Sequence, residues 1–148
     1  MSPAARPLFR STTHPDLLLP PPFRVVTLRE VGDAFAHAQA VAAVEGAGTL
    51  VWVGRFDLAE FALVLEPEQP LKTARKSFFA AMNALADALT VLAPPEKPIA
   101  FDYPDAIRVD GGLVGGGRLA WPSAAAEDAI PDWLVFGTTI RIVSMTDV

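Results

Sequence analysis

The chain contains no cysteine. That absence excludes a disulfide framework, a thiolate metal site and a thiol nucleophile together. Positive charge is also scarce, with 12 Lys and Arg against 17 Asp and Glu and a formal net charge of −5. Nucleic-acid binding needs clustered basic residues to neutralise phosphates, so no nucleic-acid partner is expected. The one local concentration, Lys72, Arg75 and Lys76, opens an expected helix and reads as a solvated face. The two histidines, His14 and His37, have no Ser or Cys partner that the sequence nominates, so a nucleophile–base pair is not expected. No apolar run reaches the roughly 18–20 residues that span a bilayer, so no membrane partner is expected. The apolar patch near the start is too short for a signal peptide, and a cytoplasmic location is expected.

What is present suits one domain. The 148 residues are 51% apolar, enough for a core without cross-links or metals. Pro3, Pro7, Pro15, Pro20, Pro21 and Pro22 make residues 1–23 an extended arm. Residues 24–143 form the domain, and 144–148 a tail with little to pack. Apolar residues at helical spacing predict a helix over Gly32 to Glu45, stopped by Gly46 and Gly48. Thr49–Val53 and Phe61–Leu65 read as strands, the first central and almost wholly apolar. Leu71, Ala74, Phe78, Met82, Leu85, Leu89 and Leu92 form a single stripe, predicting one helix from Leu71 to Leu92 that Pro94-Pro95 ends. Further strands are expected at Ile99–Phe101, Ala106–Val109 and Leu113–Trp121. Asp110-Gly111-Gly112 is a hairpin turn, because an Asp-Gly pair supplies positive φ. A helical turn is expected over Ser123–Ile130, and a last strand over Trp133–Val143, bent or interrupted at Gly137. The sum is an α+β fold: a mainly antiparallel mixed sheet with two main helices on one face.

The densest signal is Phe101 to Trp121, FDYPDAIRVDGGLVGGGRLAW, with five glycines at 111, 112, 115, 116 and 117. Its order resembles the KWPNDI-x-V-x-GKK-V-A-G-I-L segment of biotin and lipoate protein ligases. Tyr103-Pro104, Ile107, Val109, Gly111, Val114 and Gly116 stand at the matching offsets. The words Leu50–Trp52, Phe56–Ala59 and Leu63–Leu71 extend the likeness to a divergent bacterial subset of the biotin/lipoate A/B protein ligase family. Gly32 to Val143 can be laid along the ligase catalytic core, about three-quarters of the chain.

The resemblance implies a class II synthetase-like α+β fold and a cleft for a small carboxylate or acyl ligand. An active relative would use ATP and Mg²⁺ and pass the acyl group to a biotinyl or lipoyl carrier domain. Several family residues are replaced. The second lysine of GKK, which would stabilise charge on reacting oxygens, is Leu113, and no other catalytic residue is nominated. The lysine of KWPND is Asp102, its asparagine Asp105 and its aspartate Ala106. Only Gly54-Arg55 matches the nucleotide-binding GRGR-x-G loop, and the interval to Glu60 is short for a closing lid. The cysteine nucleophile of the related acyltransferases is absent.

These replacements imply impaired ligation, a pseudoenzyme that retains ligand binding, with an active ligase and a non-catalytic assembly module as the rival readings. Candidate ligand-binding residues are Arg55, Asp102, Tyr103, Gly115, Gly116 and Arg118. The two glycines would offer backbone N–H groups, Arg118 a charge and Tyr103 an apolar wall. A bulge within Gly115–Gly117 would turn Arg118 to the face of Leu113, and a Gly116→Val variant should lose ligand while remaining folded. Asp102, Asp105 and Asp110 read as turn residues, so no metal site is expected. Trp52 reads as core. A free sheet edge would allow a homodimer.

Overall fold

The structure, a computed structural model, describes residues 17–29, 31–55, 57–92 and 95–141, with the Leu92 side chain excluded. Most of the expected arm, the tail at 144–148 and the far end of the last expected strand lie outside the described residues. Among the described residues, seven strands and three helices follow in the order β1 (Arg24–Leu28), α1 (Ala34–Glu45), β2 (Thr49–Gly54), β3 (Leu58–Leu65), α2 (Leu71–Ala74), α3 (Ser77–Leu92), β4 (Ile99–Asp102), β5 (Ala106–Val109), β6 (Gly112–Ala120) and β7 (Leu134–Arg141). The strands build one sheet in the order β1-β2-β3-β7-β6-β5-β4, and with the helices packed on it the fold is α+β. β1 and β2 run parallel, joined through α1, as a parallel pair needs a long crossover. Every other neighbouring pair is antiparallel.

The helices lie on opposite faces of this sheet, which corrects the expectation of a single covered face. On β7, Val135 packs with Ala34, Ala38 and Ala42 of α1, whereas the next residue, Phe136, packs with Met82 of α3. Successive strand residues point to opposite faces, so α1 and α3 cannot share one. β3 repeats the division: Ala62 and Val64 join the α1 cluster, Ala59 and Leu65 the α3 cluster. Trp52 falls between the buried Val51 and Val53 and is only half-buried, outside the core clusters.

Several element boundaries move for local reasons. Asp33 caps α1, its Oδ1 accepting from the Ala36 N–H at 3.0 Å, and Gly46 ends it at φ 76°. β3 begins at Leu58, before the expected Phe61, because Leu58, Ala59 and Glu60 pair with Arg141, Ile140 and Thr139 of β7. The expected long helix is divided between α2 and α3 at Arg75-Lys76. There α2 is strapped to the loop beyond β6. The Leu71 and Lys72 N–H groups donate to Ala129 and Glu127 carbonyls, and Arg75 forks onto Glu127 through two bonds of 2.7 Å. That loop carries isolated turns where a helical turn was expected. β7 runs unbroken through Gly137, where a Cβ would collide with the Phe35 ring of α1. The glycine therefore admits a ring and does not interrupt the strand. Between β5 and β6, Asp110 (φ 52°) and Gly111 (φ 80°) form the two-residue turn with both φ positive that the Asp-Gly pair foretells.

Candidate functional site

An open cleft of about 490 Å³ lies over β6 and β7. Its floor is set by strand alternation. A Cβ on Gly117 would meet Met82 on the α3 side, so the flanking Gly116 and Arg118 face the α1 side. Gly116 pairs with Thr139 and Arg118 with Gly137. All four line the cleft, with Leu58 and Arg141 at one end and Asp105 and Ala106 at the β5 margin.

A bulge fixes which β6 side chains share this face. Gly115 pairs with Ile107 and Leu113 with Arg108, leaving Val114 as the extra residue. The residue count between Leu113 and Arg118 is thereby corrected, and both line the cleft. The bulge precedes the glycines rather than falling within them.

Arg118 is exposed, and its guanidinium carbon stands 4.4 Å from the Phe35 ring centroid. Phe35 in turn occupies the space left by Gly137. Stacking of this kind adds about 0.5–1 kcal/mol at an exposed site and holds the planar fork in place. Among the described residues no carboxylate pairs with Arg118; the ion pairs join Arg55 to Glu60, Lys72 to Asp128, Arg75 to Glu127 and Arg108 to Asp102.

The expected site residues fall into two groups. Gly115, Gly116 and Arg118 line the cleft; Arg55, Asp102 and Tyr103 do not. Asp102 pairs with Arg108 at 3.0 Å. Tyr103 is 81% exposed and stacks on Phe79, ring centroids 6.0 Å apart and nearly parallel. Arg55 acts as a latch: its Nε donates to Glu60 at 3.2 Å and its Nη2 to the Gly32 carbonyl at 3.0 Å. The second Glu60 oxygen accepts the Ala34 N–H at 3.0 Å, so the start of α1 and the β2–β3 turn are tied together. The arginine of this interval is thus held within the fold, and β3 begins four residues after Gly54. Among the described residues, no group of three or more His, Asp or Glu could hold a metal ion.

The glycines are also committed to packing. A Cβ on Gly116 would fall on the Asp105 carbonyl oxygen, and one on Gly115 on the Thr139 carbonyl oxygen. These are backbone atoms of the turn entering β5 and of β7, so a Gly116→Val variant would not leave the sheet intact, contrary to the expectation from the sequence. The Gly117 N–H donates to that same Asp105 oxygen at 3.0 Å, and Thr138 Oγ1 donates to the Gly116 carbonyl at 2.7 Å. Arg141, Thr139 and Leu58 were not nominated from the sequence. Only the register of β7 against β6 and β3 carries them to the site, and no local motif marks them.

A family model for the biotin/lipoate A/B protein ligase family matches residues 19–148. Among solved structures, a biotin protein ligase-like protein of unknown function from a Silicibacter species is 31% identical, with a TM-score of 0.79 over 89% of this chain and 57% of that one. The Leishmania major biotin protein ligase, solved with biotin, is 15% identical with a TM-score of 0.62, covering 85% of this chain and 58% of that one. The Aquifex aeolicus biotin protein ligase is 16% identical with a TM-score of 0.58, covering 81% and 50%. At such identities the last two show the fold alone, and the chain spans 50–58% of the length of these relatives. No curated protein matches. With the family model covering all but the first 18 residues, the chain belongs to the biotin/lipoate A/B protein ligase family.

Proposed function

We propose that the β6–β7 cleft binds a small carboxylic acid or its acyl derivative and that activation of the acid is impaired. The observation that carries this reading is Arg118, a guanidinium on the cleft floor with no carboxylate partner among the described residues. A planar fork of N–H donors suits a carboxylate. Leu113 at the position of the family lysine and the latched Arg55 support the second half, because neither offers a charge to an acyl-adenylate. Relatives solved with biotin and with biotinyl-5-AMP favour a ligand of this class. ATP and Mg²⁺ have no part in this reading, because Arg55 is held by Glu60 and the Gly32 carbonyl. A cytoplasmic place is part of this reading; no helix among the described residues is long and apolar enough to cross a membrane.

The experiment is a thermal-shift screen with biotin, lipoate and octanoate, each with and without ATP. A ligand that binds only the native state raises the apparent stability by mass action. One acid alone should raise Tm, ATP should add nothing, and Arg118→Gln should weaken binding about tenfold. A shift that requires acid and ATP together would favour the active-ligase reading instead. Absence of any shift would favour the assembly module, for which the exposed β4 edge with Phe101 and Tyr103 is the supporting feature and a homodimer or carrier domain the partner.

A further inference from the structure

Arg118 has a counterpart at the other end of the cleft. Arg141 closes β7 on the same face as Gly137 and Thr139, and it lines the cleft beside Leu58 and Leu113. It too is exposed and has no ion pair among the described residues. Arg118 pairs across the sheet with Gly137, four residues before Arg141. At about 3.3 Å per residue the two backbones stand roughly 14 Å apart. Between them the floor is Gly116, which carries no side chain, and Thr139. Asp105 also borders the cleft, but its carbonyl receives the Gly117 N–H and its carboxylate pairs with neither arginine.

Two cations on one face, neither with an ion pair among the described residues, run against a chain whose net charge is −5. With the backbones this far apart, each guanidinium can take its own anion. Leu113 and Leu58 supply apolar surface at the Arg141 end, in the place where the family motif has a lysine.

We infer that the cleft takes an extended α,ω-dicarboxylate, one carboxylate on Arg118 and the other on Arg141, with its methylene chain over Gly116 and against Leu58 and Leu113. This rests on the carboxylate-binding reading above and adds the ligand's second charge and its length. A monocarboxylate would satisfy one guanidinium and leave the other facing water.

The test is calorimetric titration of octanedioate and octanoate, matched in carbon number, into the wild-type chain and into Arg141→Gln. Octanedioate should bind about tenfold tighter than octanoate, beyond the advantage of having two equivalent ends. That preference should shrink with added salt and collapse in Arg141→Gln. Octanoate binding as tightly as octanedioate, or a preference that survives Arg141→Gln, would overturn the inference and leave carboxylate binding standing. Failure of both acids to bind would overturn the carboxylate reading itself.

Discussion

A Cβ on Gly116 would land on the Asp105 carbonyl oxygen just before β5 and one on Gly115 on the Thr139 carbonyl oxygen of β7, whereas one on Gly112 would meet only the Val109 carbonyl oxygen at 3.5 Å, an ordinary contact. The glycines of one motif therefore carry unequal demands. Gly116→Ala should destabilise the fold by about 2 kcal/mol or more, because the paired strand must move. Gly112→Ala should stay within about 0.5 kcal/mol. Urea midpoints at constant m-value measure both, and equal losses would refute the contrast. From the sequence the cluster was legible as a hairpin under close approach or as a ligand cradle. The choice between them needed the position of the Asp105 carbonyl, which no spacing on β6 encodes. Arg118 was legible as a candidate because it stands in the motif. Arg141 was not, because its neighbour on the cleft floor is Leu58 of β3, more than eighty residues away in the chain.

At the scale of elements, the start of α1 is held by two carboxylates with different duties. Asp33 caps the helix at its exposed end. Glu60, on β3, joins the Ala34 N–H to Arg55 and has a side chain only 15% exposed. Asp33→Ala should cost about 1 kcal/mol, the usual loss of an N-cap. Glu60→Ala should cost more, about 1–3 kcal/mol, because it strands a helix N–H and a guanidinium that are partly buried. Chemical denaturation of the two variants tests the order, and a smaller loss for Glu60→Ala would argue against the latch. The N-cap could be read from Asp33 before an apolar periodic run. The role of Glu60 could not, since a single acid in an apolar strand says nothing of its partner. The apolar stripe from Leu71 likewise marked the helical faces, while the break at Arg75 came from the loop residues Glu127 and Asp128, distant in sequence.

Across the whole molecule, one sheet serves two cores. Val135 and Phe136 are neighbours in β7, yet the first packs under α1 and the second under α3. Truncating either residue to Ala should lower the stability of a single cooperative transition, by about 1–3 kcal/mol for Val135 and 3–5 for Phe136. Far-ultraviolet circular dichroism and tryptophan fluorescence should report the same midpoint in each variant; separated midpoints would mean that the two faces unfold independently. The sequence by itself determined the class of the fold: helical and alternating periods, the Asp110-Gly111 turn and the order of motif words all belong to local chain geometry. It also determined the family, through residues spread along most of the chain. Only the tertiary structure decided that α1 and α3 cover opposite faces, that Val114 is the bulge, and that Arg118 and Arg141 share one cleft. The physical reason is that alternation along a strand separates two faces without saying which element covers each. That assignment arises from strand register and packing between residues far apart in sequence.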